Sequence, residues 1–200
     1  MDNFTQSPGN QFSRLNLLQQ FMANHKGFIA GGCFKNLFSN ERIKDVDIFF
    51  ENEIDFFNAV RYFDNDSDYV KRYENKKVVA YKNTKNNIVI ELIRSVFGSP
   101  KEIIDKFDFS ITKFAYYKQE NGESVSYEAV YHEKFFEHLH LKRLVLNKQI
   151  YFPVSTFERS LRYTKYGYGL CRESKENLIS AIRETQILDG ISNSLYDGVD

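Results

Sequence analysis

A chain of 200 residues with 42% apolar and 27% charged side chains is long enough to bury one substantial core, which excludes global disorder. Its 27 Lys and Arg balance 27 Asp and Glu, so no whole-molecule field draws in nucleic acid and any such attraction is local. The two cysteines, Cys33 and Cys171, form neither a disulfide framework nor a zinc spacing.

Residues 1–10 are polar, with a Ser-Pro-Gly turn and without the basic start and apolar stretch of a secretory signal. Leu15, Leu17, Leu18, Phe21 and Met22 recur at near-helical spacing and predict an amphipathic helix over 11–24. Residues 27–30 form a short apolar strand, Gly31-Gly32 a turn, and 33–38 one or two helical turns before a polar loop over 39–44. Residues 45–50 alternate Asp, Val, Asp, Ile before Phe-Phe, which sets Asp45 and Asp47 on one face of a strand and Val46 and Ile48 on the other. A helix over 54–63 follows, closed by the turn formers of 64–68.

Strands then resume as a meander: 69–73 and 77–81 flank a turn at 74–76, and a second polar turn at 83–87 leads to a strand over 88–93. Pro100 opens a short helix to 106. Residues 109–117 read as a strand, 120–123 as a loop, and 127–131 as a strand pairing back. From 132 onward the texture is more helical and basic, with a short helix over 134–139 and two longer ones over 157–166 and 174–187, broken at Gly167-Tyr168-Gly169. A polar tail follows Gly190. No apolar run approaches the roughly 20 residues that span a bilayer, so the expectation is a soluble cytoplasmic protein, in the host cytoplasm if viral, with no membrane partner.

Two carboxylates at strand positions i and i+2 converge on one point, and such oxygen-rich sites suit Mg²⁺, which takes its remaining ligands from water and phosphate. Upstream, Phe28-Ile29-Ala30-Gly31-Gly32 is a strand ending in two glycines that open a helix, where backbone N–H groups can face a phosphate. Gly31-Gly32 followed by Lys44-Asp45-Val46-Asp47-Ile48 resembles the glycine pair and Lys-Asp-x-Asp strand of the DNA polymerase beta superfamily of nucleotidyltransferases, nearest to poly(A) polymerases and CCA-adding enzymes. The resemblance implies an α+β fold, a mixed sheet of the polymerase beta type packed with helices and followed by a small helical C-terminal appendage. On it, residues 1–131 are a palm-like nucleotidyltransferase domain and 132–200 a basic neck-like appendage and tail.

In that superfamily a third carboxylate on a neighbouring strand completes a two-metal site. Glu91, in the apolar run Ile88-Val-Ile-Glu-Leu-Ile, matches that pattern; Asp108 is the rival, with the alternative of capping the turn before a strand. The implied catalytic and metal-binding residues are Asp45, Asp47 and Glu91, with Mg²⁺ or Mn²⁺ as cofactor. Phe157-Glu-Arg-Ser-Leu-Arg-Tyr-Thr-Lys-Tyr-Gly is similar to the basic neck helix of the CCA-adding enzymes, and Arg159, Arg162 and Lys165 are expected on one helix face. Together with Gly31, Gly32, Lys35 and Lys44 they make up the expected nucleotide-binding set, because guanidinium forks and ammonium groups suit phosphate oxygens.

Two features depart from the pattern: Lys35-Asn36 stands where an arginine-aspartate pair is usual, and no long helical tail of the kind that grips tRNA is evident. The likeness is therefore to small stand-alone members, including those of bacteriophage genomes. The expected reaction is transfer of a nucleoside monophosphate from a nucleoside triphosphate to a hydroxyl, the favoured acceptor being an RNA 3′ end, since Tyr163, Tyr166 and Tyr168 can stack bases. The alternative is a catalytically degenerate relative acting as a binding module. His138 and His140 are expected at the surface, and Cys33 as a small residue packed under the glycine turn.

Overall fold

The computed structural model describes residues 3–122, 124–147 and 149–185. One mixed sheet of eight strands organises them: β1 (Phe4–Pro8), β2 (Phe28–Ala30), β3 (Asp45–Phe50), β4 (Tyr69–Glu74), β5 (Val78–Asn83), β6 (Val89–Phe97), β7 (Phe114–Asn121) and β8 (Ser124–His132). Their spatial order is β1-β8-β7-β2-β3-β6-β5-β4. Neighbours pair antiparallel except β3 and β6, which run parallel. A parallel pair needs a crossover, and here α2 (Glu53–Asn65) followed by the β4–β5 hairpin supplies it. Fold class and sheet are thus α+β, as the resemblance implied.

The alternation along each strand divides the core. Val46, Ile48, Val79, Tyr81, Ile90 and Leu92 join the larger apolar cluster, which also takes in Phe56 and Phe63 of α2 and Phe34 of α1 (Cys33–Phe38). Phe49, Ala115 and Val130 face the other way, against Ile103 and Ile104 of α3 (Pro100–Asp105). Local sequence signals fix both helices. Asn52 caps α2 by accepting the Asp55 N–H at 3.0 Å, and Ser99 with Glu102 forms a capping box in front of Pro100.

Three expectations change. The helix over 11–24 is instead a run of 3₁₀ turns, Ser13–Phe21. Three residues per turn bring Leu15, Leu18 and Phe21 onto one buried face, while Leu17 is left 49% exposed. The polar N-terminal segment contains β1, whose residues pair with β8 from Phe4↔His132 to Pro8↔Glu128. Pro8 lies at the end of that edge strand, where a missing N–H is tolerated. The strand expected over 109–117 begins only at Phe114. Residues before it turn, with Thr112 N–H bonded to Phe109 O at 2.9 Å and Ser110 N–H to Val145 O at 3.0 Å, and Phe109 bridges to Leu146.

Beyond β8 come α4 (Phe135–His140), β9 (Arg143–Leu144), α5 (Pro153–Thr164), β10 (Gly169–Leu170) and α6 (Arg172–Glu184). The short strands β9 and β10 pair in parallel at the Gly167–Gly169 break. Tyr163 of α5 packs edge-on against Phe109, joining this region to the main body. The tail after Gly190 lies outside the described residues. Among the described residues no helix is long and apolar enough to cross a membrane.

Candidate active site

Strand β3 carries Asp45, exposed, and Asp47, half-buried, on the face opposite Val46 and Ile48. Because β6 runs parallel beside it, Glu91 stands directly opposite Asp47. The three carboxylates expected to act together therefore occupy adjacent strand positions on one face. Their fields meet at neighbouring groups. Tyr73 has its phenol pushed up by burial, by its hydrogen bond to Glu91, and by the charges of Glu91, Asp47 and Asp45. Cys33 is driven well above the ordinary thiol range by burial first and then by Asp47 and Asp45. Cys33 is buried within the larger apolar cluster and is a packing residue, as expected of it.

A cleft of about 300 Å³ opens beside these aspartates, lined by Gly32, Cys33, Lys35, Asn36, Glu41, Arg42, Lys44, Asp45 and Asp47 on one side and by Arg162, Tyr163 and Tyr166 on the other. The floor comes from the β2–α1 turn and β3, the roof from α5. Gly31 holds φ at +99°, a conformation that glycine alone adopts without strain. Its N–H bonds Phe114 O at 3.1 Å, so this amide extends the sheet and does not face the cleft. Gly32 opens α1 beneath Tyr163, whose hydroxyl would lie 3.8 Å from a Cβ placed there.

The basic residues separate. Lys44, Arg42 and Arg162 line the cleft. Lys35 is only 5% exposed; its ammonium pairs with Glu41 at 2.9 Å, bonds Asn36 and sits over the rings of Tyr166 and Tyr168 at 5.1 and 5.7 Å. Arg159, Arg162 and Lys165 do not share a face. Arg159 is turned inward onto Asp108, Nε to Oδ2 at 2.6 Å, whereas Lys165 lies just past the last residue of α5 and is exposed. The reason is helical geometry: each three-residue step falls short of a turn, so positions i and i+6 diverge by roughly 120°.

The same pair separates the two rivals for third carboxylate. Asp108 is buried and neutralised by Arg159, while Glu91 stands beside Asp47. Residues 132–140 bring a further correction. His140 is exposed, but His138 is buried, with its Nδ1 2.7 Å from Ser110 Oγ, and burial is the main cause lowering its pKa. The apolar residues of α4 carry it into the core, since Phe135, His138 and Leu139 lie at i, i+3 and i+4. Sequence reasoning missed Tyr73, Asn36, Glu41 and Arg42. Tyr73 is brought to the site by a strand irregularity with no sequence signature, Asn36 by α1, and Glu41 and Arg42 by the loop that follows α1.

Asp45, Asp47 and Glu91 offer the hard oxygen donors that a divalent cation such as Mg²⁺ takes. In this structure Glu91 Oε1 accepts a hydrogen bond from the Tyr73 hydroxyl, and no set of three His, Cys, Asp or Glu among the described residues is gathered tightly enough to hold a metal. The donor chemistry fits; closing the set requires Glu91 to offer an oxygen towards Asp47.

Comparison with known proteins places this architecture. A CCA-adding enzyme complexed with CTP superposes over 92% of this chain and 46% of its own, with a TM-score of 0.63 and 16% identity. The Thermotoga maritima CCA-adding enzyme complexed with tRNA matches over 92% and 47%, with a TM-score of 0.60 and 17% identity. The chain therefore has the nucleotidyltransferase fold. A curated relative, Gabija anti-defense 2 of Bacillus phage SPbetaL7, is 27% identical over 156 residues, 78% of this chain. The chain spans 37% of that relative's length and just under half of those solved structures. The model of the Gabija anti-defense 2 family matches residues 4–142, more than half of the sequence, and the chain belongs to that family.

Proposed function

We propose that this chain is a metal-dependent nucleotidyltransferase, moving a nucleoside monophosphate from a nucleoside triphosphate to a hydroxyl, with an RNA 3′ end as the favoured acceptor. The observation that carries this reading is the common opening of Asp45, Asp47, Lys44 and Arg162 into one cleft. Two carboxylates beside cations suit a bound metal–triphosphate, whereas carboxylates alone would repel the triphosphate.

Asp45, Asp47 and Glu91 would hold Mg²⁺ or Mn²⁺, which when bound lowers the pKa of the acceptor hydroxyl and offsets charge on the departing pyrophosphate. Arg162 and Arg42 offer guanidinium groups to phosphate oxygens, and Lys44 adds a point charge. Tyr163 and Tyr166 line the cleft and present rings on which a base can stack. Lys35 shapes the floor, because its charge is taken up by Glu41 and the tyrosine rings. The curated relative's name ties that protein to counter-defence against Gabija, and on this reading nucleotide transfer is the activity the family brings to that role.

A second reading, a binding module with no turnover, is favoured by the spacing of the carboxylates, since among the described residues no three acidic, His or Cys side chains are gathered tightly enough to hold a metal. One experiment separates the two. Purified protein is incubated with each labelled nucleoside triphosphate, Mg²⁺ or Mn²⁺, and RNA or protein acceptors. Label on RNA that falls by roughly 100-fold or more in Asp47→Asn, with the melting temperature unchanged, is the expected result, since even residues that only support a metal ligand contribute about 10- to 100-fold. Full activity in Asp47→Asn sinks the transferase reading; label on protein redirects the acceptor.

A further inference from the structure

The row of residues that crosses the sheet at Asp47 does not stop at Glu91. Asp47 of β3 pairs with Glu91 of β6, Glu91 pairs with Ala80 of β5, and Ala80 pairs with Tyr73 of β4. Four strands thus place four side chains in line on one face. Ala80 is the small member of the row, and a methyl group between two long side chains leaves the gap across which the Tyr73 phenol reaches Glu91 Oε1.

Tyr73 owes its place to a defect. Lys71 pairs with Tyr81, and unbroken pairing would set Arg72 opposite Ala80 and turn Tyr73 to the other face. A register shift between Lys71 and Tyr73 brings Tyr73 opposite Ala80 instead. Lys71, before the shift, lies over the Tyr81 ring at 5.6 Å on the opposite face. Bulges re-aim side chains in this way, and they recur beside active sites.

We propose that Tyr73 is a positioning residue for the third carboxylate: its hydroxyl fixes Glu91 through Oε1, so that Oε2 is presented to a divalent cation held with Asp45 and Asp47. The assignment rests on the transferase reading of the cleft. It follows from the general behaviour of metal ligands, whose orientation is set by the hydrogen bond made at the atom that does not coordinate. A phenol suits the task because it is neutral. A lysine or arginine at position 73 would cancel the charge on Glu91, as Arg159 does at Asp108. Tyr73 is 45% exposed on an edge strand, so its hydroxyl can be removed without opening the core.

The test is Mn²⁺ binding to the full chain, followed by the electron paramagnetic resonance signal of the free ion, for wild type, Tyr73→Phe, Glu91→Gln, the double variant and Asp47→Asn. Tyr73→Phe is expected to weaken Mn²⁺ binding roughly 10- to 100-fold at unchanged melting temperature. In the double variant, Tyr73→Phe is expected to add nothing to Glu91→Gln, which a merely structural role would not produce. Wild-type affinity in Tyr73→Phe, with binding lost in Asp47→Asn, overturns the role of Tyr73 and leaves the transferase reading standing. Equal and negligible binding by wild type and Asp47→Asn overturns both.

Discussion

Glu91 and Asp108 are both acidic residues set among apolar neighbours, yet the fold treats them in opposite ways. Glu91 stands half-buried on β6, opposite Asp47, with a neutral phenol as its hydrogen-bond partner. Asp108 lies in the turn before β7, 7% exposed, with a guanidinium against it. A carboxylate set opposite Asp47 with a neutral phenol as its hydrogen-bond partner can still offer an oxygen to an incoming ion. One enclosed with an arginine has its field cancelled locally and serves to tie α5 to the sheet. The difference is one of partner and burial, and it separates the proposed metal ligand from a structural residue more sharply than sequence context does.

The largest effect expected from breaking this contrast lies at the buried pair. Arg159→Leu removes the guanidinium enclosed with the Asp108 carboxylate, and breaking a buried pair from one side typically costs about 3–5 kcal/mol. Urea unfolding should register that loss, and Asp108→Leu should produce one of the same order. Combining Asp108→Leu with Arg159→Leu should recover much of it, because the pair contributes little beyond what apolar packing can replace. If Arg159→Leu unfolds at the wild-type urea concentration, Asp108 is not held as described, and its separation from Glu91 fails.

A third enclosed group sharpens the comparison by being kept neutral. His25 packs against the rings of Phe50, Tyr62 and Phe63. Its Nε2 lies 2.8 Å from Phe21 O and its Nδ1 accepts the Gly27 N–H at 3.0 Å, so the uncharged ring satisfies both neighbours. Burial is the main cause that lowers its pKa to about 4; the Phe21 carbonyl opposes that shift and Lys118 adds to it. With the folded pKa below the unfolded value of 6.5, the contribution is whole above pH 6.5. It is lost as pH falls towards 4, because the unfolded chain takes up the proton first. The loss amounts to roughly 3 kcal/mol. His25→Gln should flatten the stability profile between pH 6.5 and 4; an unchanged slope would show that other groups set it.

Sequence carried the centre of the site well and its edges poorly. The alternation at Asp45–Phe50 placed the aspartates on one face because strand periodicity is strict, and the helix start at Pro100 and the turn over 83–87 could be read from local chemistry alone. Leu15, Leu18 and Phe21 suit a three-residue period as well as a 3.6-residue one, and only packing chose between them. The cationic positions of α5 were visible as a pattern, but which of them points inward depends on the partner that Asp108 supplies 51 residues earlier. Tyr73 depends on a register shift against β5, a property of two strands and not of either alone.

The smallest expected change in stability completes the contrast. Glu91→Gln keeps the shape of the side chain and the Tyr73 hydrogen bond while removing the charge, and a half-exposed substitution of this kind usually moves stability by no more than about 0.5 kcal/mol. Thermal melting without metal should therefore match wild type. Three carboxylates in a row repel one another, so removing one charge relieves rather than adds strain. Melting in excess Mg²⁺ supplies the other half: a ligand that binds only the folded state raises its stability by an amount set by affinity, so wild type should gain more than Glu91→Gln. Equal gains in the two proteins would mean that Glu91 takes no part in holding the ion, and the contrast with Asp108 would then be one of burial alone.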